Sequence, residues 1–196
     1  LPEPAGTFAR AQPGFSFAFP RDFAPKPNFQ TEWWYYTGNL QSPDGRQFGY
    51  QLTFFRRALH GPDQRQSRPS AWAVEQIYMA HFTLADVGAQ QFSYFERFER
   101  GSAGLAWASI DPAFRVWLGN WSVEQTEEGV YRLRASQDGI ALDLLLTDVK
   151  GPILQGDSGY SQKGPQAGNA SYYFSQTRLE TSGQVDPLRI ESYIAS

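Results

Sequence analysis

Apolar and polar positions alternate with period two along most of this chain, and none of its segments repeats at helical spacing. Alternation of that kind predicts strands, since successive side chains of a strand face opposite ways. The densest case is Gln30 to Leu40, Q-T-E-W-W-Y-Y-T-G-N-L, where four aromatics follow one carboxylate. On a strand, Glu32, Trp34 and Tyr36 share one face and Trp33, Tyr35 and Thr37 share the other. Aromatic residues on both faces point to a core on one side and a second apolar space on the other. In a closed barrel that space is a ligand cavity.

Further strands are expected in chain order. Thr31–Leu40 and Phe48–Arg56 read as a hairpin around Asp44-Gly45, and Leu59–Ser70 as a polar loop. Ala73–Asp86 and Phe92–Glu99 follow, then Phe114–Leu118 and Trp121–Gln125. Gly101–Ala108 is small and glycine-rich, and its conformation is open, a turn being one reading. Val130–Ser136 and Ile140–Leu146 flank Asp138-Gly139, the clearest two-residue hairpin signal, and Leu142, Leu144 and Leu146 fall on one face. Gly151–Gly168 reads as loop. Tyr172–Thr181 and Val185–Ala195 form the last expected pair, turning at Ser182-Gly183. About ten short strands with turn signals roughly every ten residues indicate an all-β, antiparallel barrel or sandwich.

Residues 1–30 form a separate arm. Six prolines (Pro2, Pro4, Pro13, Pro20, Pro25 and Pro27) keep it extended, and Phe15, Phe17 and Phe19 alternate with other residues. It is expected to lie on the barrel and close one mouth, with residues 31–196 forming the barrel domain.

Composition narrows the function classes. The 196 residues carry a net charge of −3, which argues against a nucleic-acid partner. Aromatics make up 16% of the chain and charged residues 19%, a balance suited to an all-β core or an apolar pocket. There is no cysteine, so disulfides, thiolate metal sites and cysteine nucleophiles are excluded for this stretch. No apolar run approaches the length of a transmembrane helix. Leu1-Pro2-Glu3-Pro4 lacks the pattern of a secretory signal. The strand-like run Arg189–Ala195 stops at Ser196, so the natural chain is expected to continue.

The blocks T-E-W-W-Y-Y-T-G-N-L (31–40), G-R-Q-F-G-Y-Q-L-T-F-F-R (45–56), Q-I-Y-M-A-H-F-T-L-A-D (76–86) and G-N-A-S-Y-Y-F-S-Q-T-R-L (168–179) resemble the N-terminal half of the AttH-like, carotenoid 1,2-hydratase-related family. The likeness covers the chain in blocks from about Phe19 to Leu179. It implies a lipocalin-like (calycin) barrel, one of two in a longer chain, with the second barrel as its intramolecular partner. It also implies an apolar small-molecule substrate or ligand, such as a lipid or isoprenoid, an exported or envelope location, and no cofactor. Some relatives are hydratases and others pericyclases. The acids proposed for hydration in the family are expected largely in a later part of the chain.

Glu32 is the most informative polar residue. Buried beside Trp34 and Tyr36, it must be neutral or paired. As a neutral acid it could protonate an alkene, with aromatic faces stabilising the cation. As a structural group it would pair with Arg56 or Arg57. His81 shares a strand face with Ile77, Met79 and Thr83, and is read either as a core histidine or as a proton-exchanging cavity contact. The only other histidine is His60, so a histidine metal site has no support. Asp157, Lys163 and Asn169, in a glycine-rich loop at a barrel mouth, are candidates for the polar head of a ligand. Trp33, Trp34, Tyr36, Arg56, Tyr172 and Tyr173 complete the candidate ligand site, with Tyr172 and Tyr173 facing opposite ways. The leading expectation is binding of an apolar ligand. The alternatives are a hydratase or isomerase acting on a terpenoid alkene through Glu32 and His81, and a structural module of the cell envelope.

Overall fold

A computed structural model describes residues 8–62, 73–166, 168–185 and 188–195, with 188–195 described by backbone alone. Most of the loop expected at Leu59–Ser70 lies outside the described residues, as do Pro2 and Pro4. The described residues contain no α-helix, only a 3-10 turn at Arg21–Phe23, and no helix long and apolar enough to cross a membrane.

The strands form two main antiparallel sheets. The first is a meander of β1 (Thr31–Gln41), β2 (Gln47–Ala58), β3 (Gln76–Asp86) and β4 (Gln91–Arg100). The second contains β5 (Ala106–Ser109), β6 (Arg115–Leu118), β7 (Trp121–Glu127), β8 (Val130–Gln137) and β9 (Ile140–Asp148), followed across the sheet by β14 (Leu179–Val185) and β15 (Leu188–Ala195). Two short pairs lie beside them: β10 (Pro152–Leu154) with β13 (Phe174–Gln176), and β11 (Tyr160–Gln162) with β12 (Ala170–Tyr172). β15 runs alongside β1. The sheets therefore wrap as in a calycin barrel, although no ladder joins β1 to β15 or β4 to β5 among the described residues.

Alternation decides what faces inward. On β2, Phe48, Tyr50, Leu52 and Phe54 are buried, and on β3 Tyr78, Ala80, Phe82 and Leu84. They meet Val116, Trp121, Val123, Leu133 and the Leu142, Leu144 and Leu146 row of the second sheet. Phe82 packs edge-on against Trp121 with ring centres 5.8 Å apart. The Trp121 indole N–H donates to the Ser136 carbonyl at 3.0 Å, and the Arg97 guanidinium caps its face at 4.3 Å. The space between the sheets is thus occupied by side chains at this level. An empty barrel interior is not what the aromatic content provides.

Several local expectations are corrected. Ala106–Ser109, at the end of the stretch whose conformation is open in the sequence, is strand β5. The loop read over Gly151–Gly168 contains β10 and β11. The single strand expected at Tyr172–Thr181 is three: β12, β13 and β14. Ser182-Gly183 is likewise no hairpin turn but a register shift inside β14, whose partner strand begins only at Leu188. Gly183 has φ +144, and a Cβ there would lie 2.2 Å from the Asp143 carbonyl oxygen, so only glycine fits this bulge. The Asp138-Gly139 hairpin forms as expected, with φ of 51 and 85 suited to its two-residue turn.

Candidate functional site

β1 is the wall around which the site is built. Its register with β2 pairs Glu32 with Arg56, Trp34 with Phe54 and Tyr36 with Leu52. Trp34 and Tyr36 pack against the core from the inner face. A cleft of about 890 Å³ wraps around Thr31–Thr37, so that both faces of this half-strand contribute. Its other walls are the N-terminal arm and the segment from Lys163 to Leu179.

Aromatic contacts hold the arm in place. Phe15 stacks on Tyr172 at 4.3 Å, Phe19 meets Phe174 at 5.0 Å, and Phe23 meets Phe174 at 5.5 Å. The Gln12 N–H donates to the Tyr172 hydroxyl at 3.0 Å. Asp22 anchors the turn within the arm, accepting from the Ala18 N–H at 2.7 Å, Arg21 at 2.8 Å and Lys26 Nζ at 2.9 Å. Burial pushes its carboxyl up, but Arg21, the Ala18 N–H and Lys26 outweigh this and hold it at about 2 against an ordinary 3.8.

Glu32 sits at the arm side of the cleft. One carboxylate oxygen accepts from the Lys26 N–H, the other from Arg56 Nε at 2.8 Å. Arg56 is itself buried, and its remaining N–H groups donate to the carbonyls of Lys26 and Phe29 and to the Gln76 side chain. Burial pushes the Glu32 carboxyl above its ordinary value, against the lowering pull of Arg56 and the Lys26 N–H. All the partners described for Glu32 are donors, which suits a carboxylate rather than an acid. Of the two structural pairings open in the sequence, the one with Arg56 is formed.

At the opposite side, Tyr35 and Tyr173 share a hydrogen bond at 2.6 Å between their hydroxyls. The Tyr35 bond lowers the Tyr173 hydroxyl below its ordinary value, with help from Ser175 and Lys163, while Tyr173 raises Tyr35. Lys163 Nζ lies 5.2 Å above the Tyr173 ring. Deeper in, burial and the phenols of Tyr131 and Tyr50 push the Tyr36 hydroxyl far up, so it stays neutral. Gln176 donates to Asp148 at 2.6 Å and to the Tyr131 hydroxyl at 3.4 Å, tying the cleft wall to the second sheet.

The candidate residues fall into two groups. Glu32, Trp33, Trp34 and Tyr36 line the cleft from β1, and Lys163, Asn169, Tyr172 and Tyr173 from the facing segment. Arg56 stands behind Glu32. Two lie elsewhere. His81 is on the outer face of the first sheet, where Nε2 is 3.1 Å from a Glu96 carboxylate oxygen and the ring meets Tyr94 and Phe55. The expected core or cavity place for His81 is therefore not found, because its apolar face-mates Ile77 and Met79 also point outward. Asp157 occupies a turn outside the cleft wall, closed by the Tyr160 N–H donating to its carbonyl. Lys26, Tyr35 and Gln176 belong to the cleft and were not candidates in the sequence. Tyr35 had a signal, its place beside Trp33 on the second aromatic face.

These features define a lipocalin-like, all-β protein with a lateral aromatic cleft. The chain belongs to the AttH-like family, whose profile matches residues 10–192. It is similar to the crystal structure of an AttH-type protein from Nitrosomonas europaea, with 32% identity and a TM-score of 0.80 over 96% of this chain and 56% of that one. A fold likeness extends to kievitone hydratase from Nectria haematococca, with 13% identity and a TM-score of 0.61 over 97% of this chain and 52% of that one. The chain thus spans about half the length of both. No curated protein matches it by sequence.

Proposed function

We propose that the protein binds an apolar small molecule, a lipid or isoprenoid, in the cleft around β1. The observation that carries this reading is an aromatic cleft of about 890 Å³ beside a filled core. That volume lies within the range of small-molecule sites, roughly 300–1,000 Å³. Trp33, Trp34 and Phe29 offer apolar walls, and the acids among the polar lining, Asp22 and Glu32, are paired within the chain. Native mass spectrometry of the protein as purified, followed by organic extraction, tests the reading. A stoichiometric apolar molecule is the expected result; an empty protein that also takes up no long-chain probe contradicts it.

A second reading, alkene hydration, draws support from Glu32, a buried carboxyl that lines the cleft with a raised pKa, and from the fold likeness to a hydratase. Its difficulty is the saturation of Glu32 by donors. A Glu32→Gln variant that still binds ligand but loses turnover would favour this reading over binding alone. In a longer chain, the same cleft would be completed or covered by a second barrel, in keeping with the greater length of the similar structures.

A further inference from the structure

The polar groups around the cleft differ in how fully they are partnered. Its two acids, Asp22 and Glu32, are held by donors of the arm and β2, and Lys26 is committed to Asp22 through its ammonium. Lys163 is different. It stands at the tip between β11 and β12, held by its own N–H donating to the Asn169 carbonyl at 2.8 Å. No carboxylate among the described residues pairs with its ammonium, which rests over the Tyr173 ring. Next to it the Tyr35–Tyr173 pair uses a single proton between two hydroxyls and has the Ser175 hydroxyl beside both; with Tyr35 and Ser175 donating to its oxygen, Tyr173 keeps its own O–H to donate outward.

We propose that the cleft takes an amphiphile with a carboxylate head. Lys163 pairs with one carboxylate oxygen and the Tyr173 hydroxyl, itself accepting from Tyr35, donates to the other. The apolar body lies along Trp33, which shares the Tyr35 face of β1, and Phe29. This deepens the reading of an apolar-ligand site and rests on it. The head sits at the exposed mouth in contact with water, so the ion pair contributes modestly, on the order of a fivefold gain in affinity. The phenol adds a hydrogen bond to a charged acceptor, for a combined preference of roughly tenfold over an uncharged head.

The test is displacement of a fluorescent fatty-acid probe by oleate and by oleyl alcohol, which share a chain and differ at the head. The unaltered protein is expected to hold oleate roughly tenfold more tightly, with the advantage shrinking as salt rises. Lys163→Gln is expected to remove most of that preference by weakening oleate binding, with thermal stability unchanged. Tyr173→Phe is expected to remove the remainder. Equal affinity for the two probes, or a preference that survives both substitutions, overturns the carboxylate assignment and leaves the apolar cleft standing. Failure of both oleate and oleyl alcohol to bind, with the fold intact by circular dichroism, overturns the apolar-ligand reading together with it.

Discussion

The interior between the sheets and the cleft around β1 are built from the same residue types, yet they do opposite things. Between the sheets, Trp121 is fully partnered: Phe82 meets it edge-on, the Arg97 guanidinium lies over its ring, and a carbonyl accepts from its N–H. Around β1, Trp33 and Trp34 stay only partly buried, and Lys163 and the Tyr35–Tyr173 pair keep unspent capacity. Aromatic content alone therefore separates nothing. What distinguishes a site from a core is whether each ring and each donor has its partner within the chain.

The largest expected effect sharpens the core side of this contrast. Trp121→Ala removes an indole that is fully buried, and should cost about 3–5 kcal/mol of stability by denaturant unfolding. Ligand binding at temperatures where the variant is folded should be unaffected. Arg56→Ala comes next. It leaves Glu32 buried with only a backbone donor, at a cost on the order of 3–5 kcal/mol. An Arg56→Met, Glu32→Gln double variant should recover much of it, because no charge is then stranded. A double variant as unstable as the single one would break the view of Glu32 as a structural partner.

Asp22 gives a smaller, pH-dependent effect. Its folded carboxyl titrates at about 2, below the ordinary 3.8. The stability it contributes, about 2 kcal/mol, is therefore full above about pH 4 and lost as pH falls through the folded value. Asp22→Asn should be less stable than the unaltered protein at pH 7, and the two should converge near pH 2 in thermal unfolding. At the small end, Lys163→Gln should move stability by no more than about 0.5 kcal/mol. Its thermal midpoint should match that of the unaltered protein even as its carboxylate preference disappears.

How much of this could be read beforehand depended on range. Strand faces were local: Glu32, Trp34 and Tyr36 do share the inner face, and Leu142, Leu144 and Leu146 do share a buried one. What covers a face is not local. Ile77, Met79 and His81 look like a core row, but Ile77 on that side of the first sheet is exposed, as are Phe92, Tyr94 and Phe98 beside it. The division of residues 170–185 into three strands arises because β12 and β13 pair with β11 and β10, elements of three residues whose alternation is too short to register. The cleft residues on β1 were legible from aromatic density. Lys26, Gln176 and the Tyr35–Tyr173 bond were not, since each depends on contacts far apart in the chain or on the path of the arm.

The central claim is that the ligand lies along β1 rather than between the sheets or on the outer face. Photolabelling with a long-chain fatty acid carrying a diazirine, followed by peptide mapping of the intact protein, tests it most directly. The account predicts label on peptides spanning Phe29–Thr37 and Asn169–Thr177, competed away by unlabelled oleate. Competable label centred on Phe92, Tyr94 and Phe98, or on the buried strands β7 to β9, would contradict it.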